Sequence, residues 1–443
     1  MKDNAIPKMM VVSLIAGVIL IALMLVNAVV GDRERYRREA VKSIEESTAG
    51  RQSVIGPVLV RPYKQTSMIT EDDGKGGKKK VEHVLSLALT AFPRTLDVKG
   101  KMSPEERRHG LYKVTVYTSA MQLKGAFDVP ASKPDSSVEW EEPFLALFVA
   151  DVRGLVSLPE AAINGKATPI LQGCDCNLPW SPNLRIPLQG MRDLGGRVEF
   201  AVDLNLAGTE QLSLVPAGDL NHVEMASSWP SPLFAGRFLP RARELNKNGF
   251  RATWDIPSLA TSTQIQMHTA ESVIDRIDIR LLTPIDPYKL SDRATKYGIL
   301  FVTLSFAGFF LFEMLTEVRI HPLQYLFVGF GLAIFFLLLV SFSEHMAFGL
   351  AYVISSLACI GLLSFYLCYV LRSISRGLAF GAMLSTFYAA VYGLLINEDN
   401  ALVLGTLLLF VVLAAVMIVT RKVDWYRREV TSSHLGSAVP GAD

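Results

Sequence analysis

Lysine is missing from residues 298–420, and those positions hold only three Arg and five Asp or Glu. So few charges over such a length exclude a water-exposed surface there. Residues 31–297 are different, with 35 basic and 33 acidic side chains. The 443-residue chain is 19% charged, against about 25% in soluble domains, and the shortfall falls on one part of it. Cysteine is also scarce. Cys174 and Cys176 lie in the polar part and Cys359 and Cys368 in the apolar part. The two in the polar part, two residues apart, are no spread framework, which excludes a disulfide scaffold. The polar part is long enough to bury a core without staples. Its net charge of +2 is no electrostatic footprint for nucleic acid. A cytosolic enzyme is excluded as well. What remains is a chain built partly for lipid and partly for water.

A bilayer core of about 30 Å requires roughly 20 apolar residues of helix. Residues 9–30, Met9 to Val30, carry no charge. Lys2 and Lys8 ahead of them resemble a signal-peptide n-region, and Val26-Asn27-Ala28 is a weak cleavage-like triplet. The run exceeds the 7–15 residues or so of a signal h-region, so an uncleaved transmembrane helix is expected. The C-terminal block, 298–420, divides into five segments: 298–315, 323–342, 347–371, 377–396 and 401–420. The connections are a few residues long, so successive helices are antiparallel neighbours.

Loop charges orient the spans. Arg319 lies in the loop after the first of the five, Arg372 and Arg376 after the third, and Arg421, Lys422, Arg427 and Arg428 after the fifth. The loops between, 343–346 and 397–400, have no Lys or Arg. The positive-inside rule places the basic set in the cytoplasm. Residues 1–8 and 421–443 are then cytoplasmic, and 31–297 form a large periplasmic domain. The cluster Arg33, Arg35, Arg37, Arg38 opposes this assignment. It begins a long translocated segment, where charge has less influence.

Residues 32–47 read as a helix continuing out of the membrane, with Tyr36, Ala40, Val41 and Ile44 at helical spacing. Beyond them the period changes to two. Strands are expected over 54–60, 83–91, 112–119, 122–129, 144–150, 197–206 and 276–282, with Pro57 suggesting an edge strand. Turn residues lie between them. The expected fold is a membrane α-helical bundle, one N-terminal plus five C-terminal transmembrane helices, with a large β-rich, sandwich-like periplasmic domain. The polar segment Glu71 to Lys80 reads as a hairpin loop, and Trp229-Pro230-Ser231-Pro232 as a rigid connection.

Chemistry-bearing motifs are few. Cys174-Asp175-Cys176 offers two metal ligands without a His at finger-like spacing, and reads as a pair of loop thiols. No Gly-x-Ser-x-Gly, His-Glu-x-x-His or strand-linked Gly-x-Gly-x-x-Gly is present. No catalytic, cofactor-binding or metal residue is assigned, and no cofactor is expected. The residues to watch are polar groups in or beside the spans, since charge in lipid is costly and tends to be functional. Glu313 is flanked on both sides by apolar helix; it reads either as a proton or cation site or as a carboxylate near the inner interface. Glu344 and His345 end the third span at its outer side and read as a pH-sensitive contact or a plain helix end. Asp292 and Lys296 are spaced for an i,i+4 ion pair at headgroup level.

Several short words complete the reading. Ser47-Thr48-Ala49-Gly50 with Ile55-Gly56-Pro57 resembles the CreD family of bacterial inner-membrane proteins. So do Leu290 to Tyr297, Phe312-Glu313, His321-Pro322-Leu323-Gln324-Tyr325-Leu326, Ser343-Glu344-His345, Leu404-Gly405-Thr406 and Asp424-Trp425-Tyr426. They occur in the family's order along nearly the whole chain. The resemblance implies a role in cell envelope integrity, a regulon responding to envelope or β-lactam stress, and tolerance to some colicins. It implies no catalytic residues. The expected function is therefore non-enzymatic, with the lipid bilayer and other envelope proteins as partners. The rival is a transporter or lipid-handling protein using its in-membrane polar residues. An intramembrane enzyme would need converging acids or a Ser/His couple at one depth, which the spacing does not offer.

Overall fold

The computed structural model describes residues 5–72, 78–129, 138–173, 178, 180–190, 195–269, 274–281, 287–316, 320–397 and 400–421. Cys174, Cys176, Glu317, Arg319, Glu398, Asp399, the centre of the Gly/Lys loop (73–77) and the tail from 422 lie outside the described residues. The chain divides into a helical unit, Met1–Arg35 with Ile285–Asp443, and a β-rich unit, Tyr36–Pro284. Seven α-helices occur among the described residues: α1 (Ala5–Ser47), α2 (Thr263–Thr269), α3 (Pro287–Thr316), α4 (Pro322–Ser343), α5 (Phe348–Val370), α6 (Ile374–Ile396) and α7 (Ala401–Thr420). The fold is thus one N-terminal and five C-terminal apolar helices with a β-rich region of two sheets between them.

Helix α1 runs unbroken from the apolar stretch into the charged one, because nothing between Met9 and Ser47 is Pro and the polar residues keep helical spacing. Helix α3 begins at Pro287, well before its apolar stretch at Gly298, and its first turns carry Lys289, Asp292, Arg293 and Lys296. In the bundle, glycines set how closely helices approach, as is usual where lipid replaces water around them. A Cβ on Gly329 of α4 would lie 2.6 Å from Ile19 of α1 and 2.8 Å from Phe306 of α3. Gly331 meets Leu363 of α5 in the same way, and Gly308 of α3 meets Met383 of α6. Phe301, Phe335, Phe336, Tyr352 and Tyr388 fill the centre, with ring centroids 4.6–6.5 Å apart. Helix α7 is sheathed in exposed apolar side chains, with Leu402 80% and Phe410 68% exposed. That is the surface a lipid-facing helix presents.

Ile19 lies against Gly329, and Arg33 reaches Glu344. The two contacts advance together along α1 and α4, so these helices run in the same direction. Helix α3 is antiparallel to α4 across a short connection. Arg33 of α1 and the start of α3 therefore lie at the same end of the helical unit.

The β-rich unit holds a nine-stranded and an eight-stranded sheet. Val54, Leu59, Leu145 and Leu147 of the first share one core with Val98, Leu123, Phe127, Val202 and Trp254 of the second. Two sheets with one core between their inner faces make a sandwich. The alternation is clearest in Gly196–Thr209, where Val198, Phe200, Val202, Leu204 and Leu206 are all buried. Each such side chain contributes roughly 1.5–3 kcal/mol by leaving water. The runs expected at 112–119 and 122–129 form one strand, Tyr112–Val129, because Ala120 and Met121 keep the period. Trp229 to Pro232 carries the chain from Leu220–Ser227 in the eight-stranded sheet to Pro232–Gly236 in the nine-stranded one.

Pro57 is not on an edge strand. Its strand, Gln52–Asp72, lies inside the sheet between Gln211–Leu214 and Phe144–Val149. The register shifts between Ile55 and Val58, and this bulge removes Gly56 and Pro57 from the ladder, so the missing N–H costs nothing. The first and last strands of the unit flank the same neighbour. Gln52 pairs with Leu212 in parallel, and Leu212 pairs with Ile279 antiparallel. They are two strand spacings apart, about 10 Å.

Candidate functional site

Glu313 lies on α3 near its C-terminal end and is 8% exposed. Its side chain faces inward. Oε1 accepts the Ile320 backbone N–H at 3.1 Å, and Oε2 accepts the Tyr325 hydroxyl at 2.6 Å. Both oxygens act as acceptors. Ile320 immediately precedes the N-terminus of α4, where N–H groups lack intrahelical partners and the helix dipole favours negative charge. Neighbouring residues complete the end. His321 Nδ1 accepts the Leu323 N–H at 3.2 Å, Gln324 Oε1 accepts the His321 N–H at 2.9 Å, and Pro322 occupies the first turn. The Phe309 ring lies 4.6 Å from that of Tyr325 and shields the pair. The words Phe312-Glu313 and His321 to Leu326 therefore form one node that stitches α3 to α4.

Glu344 pairs with Arg33, Nε to Oε1 at 3.2 Å. The Glu344 side chain is 6% exposed and that of Arg33 39%. The contact is an ion pair without hydrogen-bond alignment. It ties the end of the first span to the end of α4. His345 is exposed, and its backbone N–H donates to Phe342 O at 3.0 Å. Asp292 and Lys296 form the i,i+4 pair at 2.6 Å on an exposed face of α3. The structure thus gathers Glu313 with Tyr325 and Glu344 with Arg33, and keeps Asp292 and Lys296 to themselves. Among the described residues no group of three His, Cys, Asp or Glu is placed to hold a metal ion.

A further node lies where α1 ends in the β-rich unit. Arg153 donates to the Glu46 carbonyl at 2.8 Å and to that of Glu45 at 3.4 Å, capping the last turn of α1. Asp151 holds Arg153 at 2.6 Å and accepts the Gly50 N–H at 3.1 Å. The Arg153 hydrogen bond, aided by those backbone donors, brings the Asp151 carboxyl down to about 2. It stays charged throughout the physiological range. Gln52, 1% exposed, donates to the carbonyls of Asp151 and Ala207 at 3.0 and 2.9 Å and accepts the Asp151 N–H at 3.2 Å. Thr209 donates to the Ala49 carbonyl at 2.7 Å. The word Ser47 to Gly50 sits in this network.

The structural roles of the words invite comparison with known chains. The family model described as inner membrane protein CreD matches residues 4–426. The chain belongs to the CreD family. Inner membrane protein CreD of Escherichia coli (strain K12) is 35% identical over 414 residues, covering 92% of this chain and 91% of that one. This CreD-family chain is accordingly a multi-pass inner-membrane protein. Among solved structures, an M1 zinc metallopeptidase from Deinococcus radiodurans aligns with a TM-score of 0.20 at 8% identity, over 43% of this chain and 42% of that one. Yeast LTA4 hydrolase in complex with bestatin gives 0.20 at 12% identity, over 48% and 34%. At those scores neither bears on the fold or activity of this CreD-family member.

Sequence reading missed the partners rather than the acids. Tyr325 stood inside a recognised word but carried no mark of its own. Arg33 stood out only by opposing the positive-inside pattern, and nothing in Asp151-Val152-Arg153 announces a clamp. The Arg33 pair has a direct consequence. Removing one partner of a buried ion pair costs about 3–5 kcal/mol, and solvent screening at the half-exposed Arg33 lowers this to about 1–2 kcal/mol. Arg33→Gln should therefore lower the melting temperature of the detergent-purified protein. Glu344→Gln added to it should restore most of the loss. An unchanged melting temperature for Arg33→Gln would show that the pair contributes nothing.

Proposed function

We propose that this protein contributes to cell envelope integrity and to the response to envelope or β-lactam stress, without enzymatic activity of its own. In this reading the β-rich unit stands in the periplasm, both ends of the chain are cytoplasmic, and the partners are the bilayer and other envelope proteins. The observation that carries it is the shared direction of α1 and α4. Both attachments of the β-rich unit leave the same end of the helical unit, at the opposite end of the bundle from Arg372, Arg376 and Arg421. By the positive-inside rule the basic end is cytoplasmic. Family membership supports the envelope role. The transporter reading rested chiefly on Glu313, and that carboxylate is engaged at the α3–α4 node.

Topology is tested with an alkaline phosphatase reporter, which folds only outside the cytoplasm. Fused near Lys75 it should be active, and fused after Arg428 inactive. Activity at the second position would overturn the arrangement. The role is tested in a strain lacking the gene: the wild-type chain should restore tolerance to a β-lactam at subinhibitory concentration, and no restoration at normal membrane abundance would refute it.

A further inference from the structure

Helices α5 and α6 and the turn between them carry two cations, Arg372 and Arg376, and no acid. The turn is a Schellman motif: the Ser373 N–H donates to the Cys368 carbonyl and the Arg372 N–H to that of Tyr369, both at 3.2 Å. Arg372 takes the left-handed position of this motif, with φ +48°. Glycine suits that backbone better, so the turn by itself gives no reason for an arginine. The helix ends also meet closely. A Cβ on Gly377 would collide with Cys368 Sγ and lie 2.8 Å from the Cys368 backbone nitrogen. Arg372 and Arg376, four positions apart, therefore share the cap of one tight helical hairpin. Arg372 is exposed and Arg376 half-buried. Neither guanidinium meets an acid or a hydrogen-bond acceptor among the described residues. At the other end of the bundle cations are matched, Arg33 by Glu344 and Lys296 by Asp292.

We infer that these two arginines bind the headgroup of an anionic phospholipid whose acyl chain lies along α5. Next to Arg372, α5 presents Tyr369, 73% exposed, then Phe365 and Leu362, 65% and 60% exposed. Steps of three and four residues place them on one face of the helix, and the rings of Phe365 and Tyr369 lie 5.2 Å apart. From Tyr369 to Leu362 that face descends about 10 Å, from headgroup depth into hydrocarbon. A tyrosine at such a boundary keeps its ring in the apolar layer and its hydroxyl among the headgroups. The planar donor fork of arginine matches phosphate oxygens. A cation at the membrane surface favours anionic over zwitterionic lipid by about fivefold. Lipid lies at both ends of the bundle, so the site stands whichever end is cytoplasmic.

The test uses the full-length protein in nanodiscs of equimolar phosphatidylglycerol and phosphatidylcholine. Native mass spectrometry reads which lipid the chain retains, and a photoactivatable phosphatidylglycerol maps where it sits. The wild type should retain phosphatidylglycerol preferentially, by about fivefold or more, with crosslinks between residues 362 and 378. Arg372→Gly removes a cation and suits the backbone. It should melt no lower than the wild type in phosphatidylcholine alone, yet lose the preference by about fivefold. Arg376→Gln added to it should abolish what remains. Arg421→Gln is the comparison, because Arg421 caps α7 at the same end of the bundle and likewise meets no acid among the described residues. It should leave the retention ratio unchanged. An equal fall for Arg421→Gln, equal retention of the two lipids by the wild type, or crosslinks confined to other segments would overturn the site and leave Arg372 and Arg376 as orientation signals alone.

Discussion

Glu313→Leu should cost the helical unit about 3–5 kcal/mol. The Ile320 N–H and the Tyr325 hydroxyl both lose their acceptor, and each hydrogen bond to a charged group contributes about 1.5–3 kcal/mol. Neither donor has water close by to replace it, since Ile320 and Tyr325 are buried. Stabilities of folded domains lie near 5–15 kcal/mol, so the variant should accumulate poorly in the membrane and melt well below the wild type. Glu313→Gln keeps the shape and one acceptor oxygen, and its amide can donate to the tyrosine oxygen; about 1–2 kcal/mol should be lost. Tyr325→Phe should cost a similar amount. Because all three act on one node, Glu313→Gln combined with Tyr325→Phe should cost less than the two losses added. The measurements are membrane abundance and thermal unfolding of the detergent-purified variants. A wild-type melting temperature for Glu313→Leu would show that the carboxylate does not hold α3 to α4.

The second large effect is expected at Gly154. A Cβ there would collide with Gln52 Nε2 and the Ala207 carbonyl, and come within 3.2 Å of Ala49 Cβ. The Ala207 oxygen is backbone of the strand Gly196–Thr209, paired along its length with Tyr112–Val129, so it cannot yield. Gln52 must move, and its bonds to Asp151 and Ala207 go with it. Overpacking costs about 1–3 kcal/mol, and each buried polar group left unpaired about 1–3 more. Gly154→Ala should therefore destabilise the β-rich unit by about 3–5 kcal/mol, on those two principles. Limited proteolysis of the full-length protein reports it as faster cleavage between residues 36 and 284. Gly31→Ala is the control: nothing lies within 4 Å of its Cβ, and alanine suits a helix better than glycine. Equal protease resistance of Gly154→Ala and the wild type would mean that the junction tolerates a side chain after all.

The helices were legible because lipid imposes a length and forbids charge, and both constraints are written locally. The strand Gly196–Thr209 was legible for a similar reason: one face is core and the other is water. The strand Thr95–His109 was not. Its second half, Ser103-Pro104-Glu105-Glu106-Arg107-Arg108-His109, has no apolar face, and it is a strand because it pairs with Tyr112–Thr118 across a tight turn at Gly110. Pairing is a tertiary fact that composition does not carry. The same limit applies to the nodes. An acid flanked by Phe312 and Met314 is conspicuous, whereas its tyrosine partner is ordinary until the chain folds back. Arg33 and Glu344 are 311 positions apart, and no local pattern names which acid an arginine will meet. Asp292 and Lys296 were readable because a single helix holds both ends of that pair.

The arrival and departure of the chain at the nine-stranded sheet share one corner. Thr209 fastens Ala49 there, and the Leu281 N–H donates to the Glu210 carbonyl at 2.8 Å. On the helical unit, α1 leaves and α3 begins at the same end. Topologically, then, the β-rich unit is an insertion: a self-contained passage set between two consecutive helices, with its first and last words side by side. Its first and last strands are two strand spacings apart, about 10 Å, so the chain enters and leaves the sheet through one narrow opening.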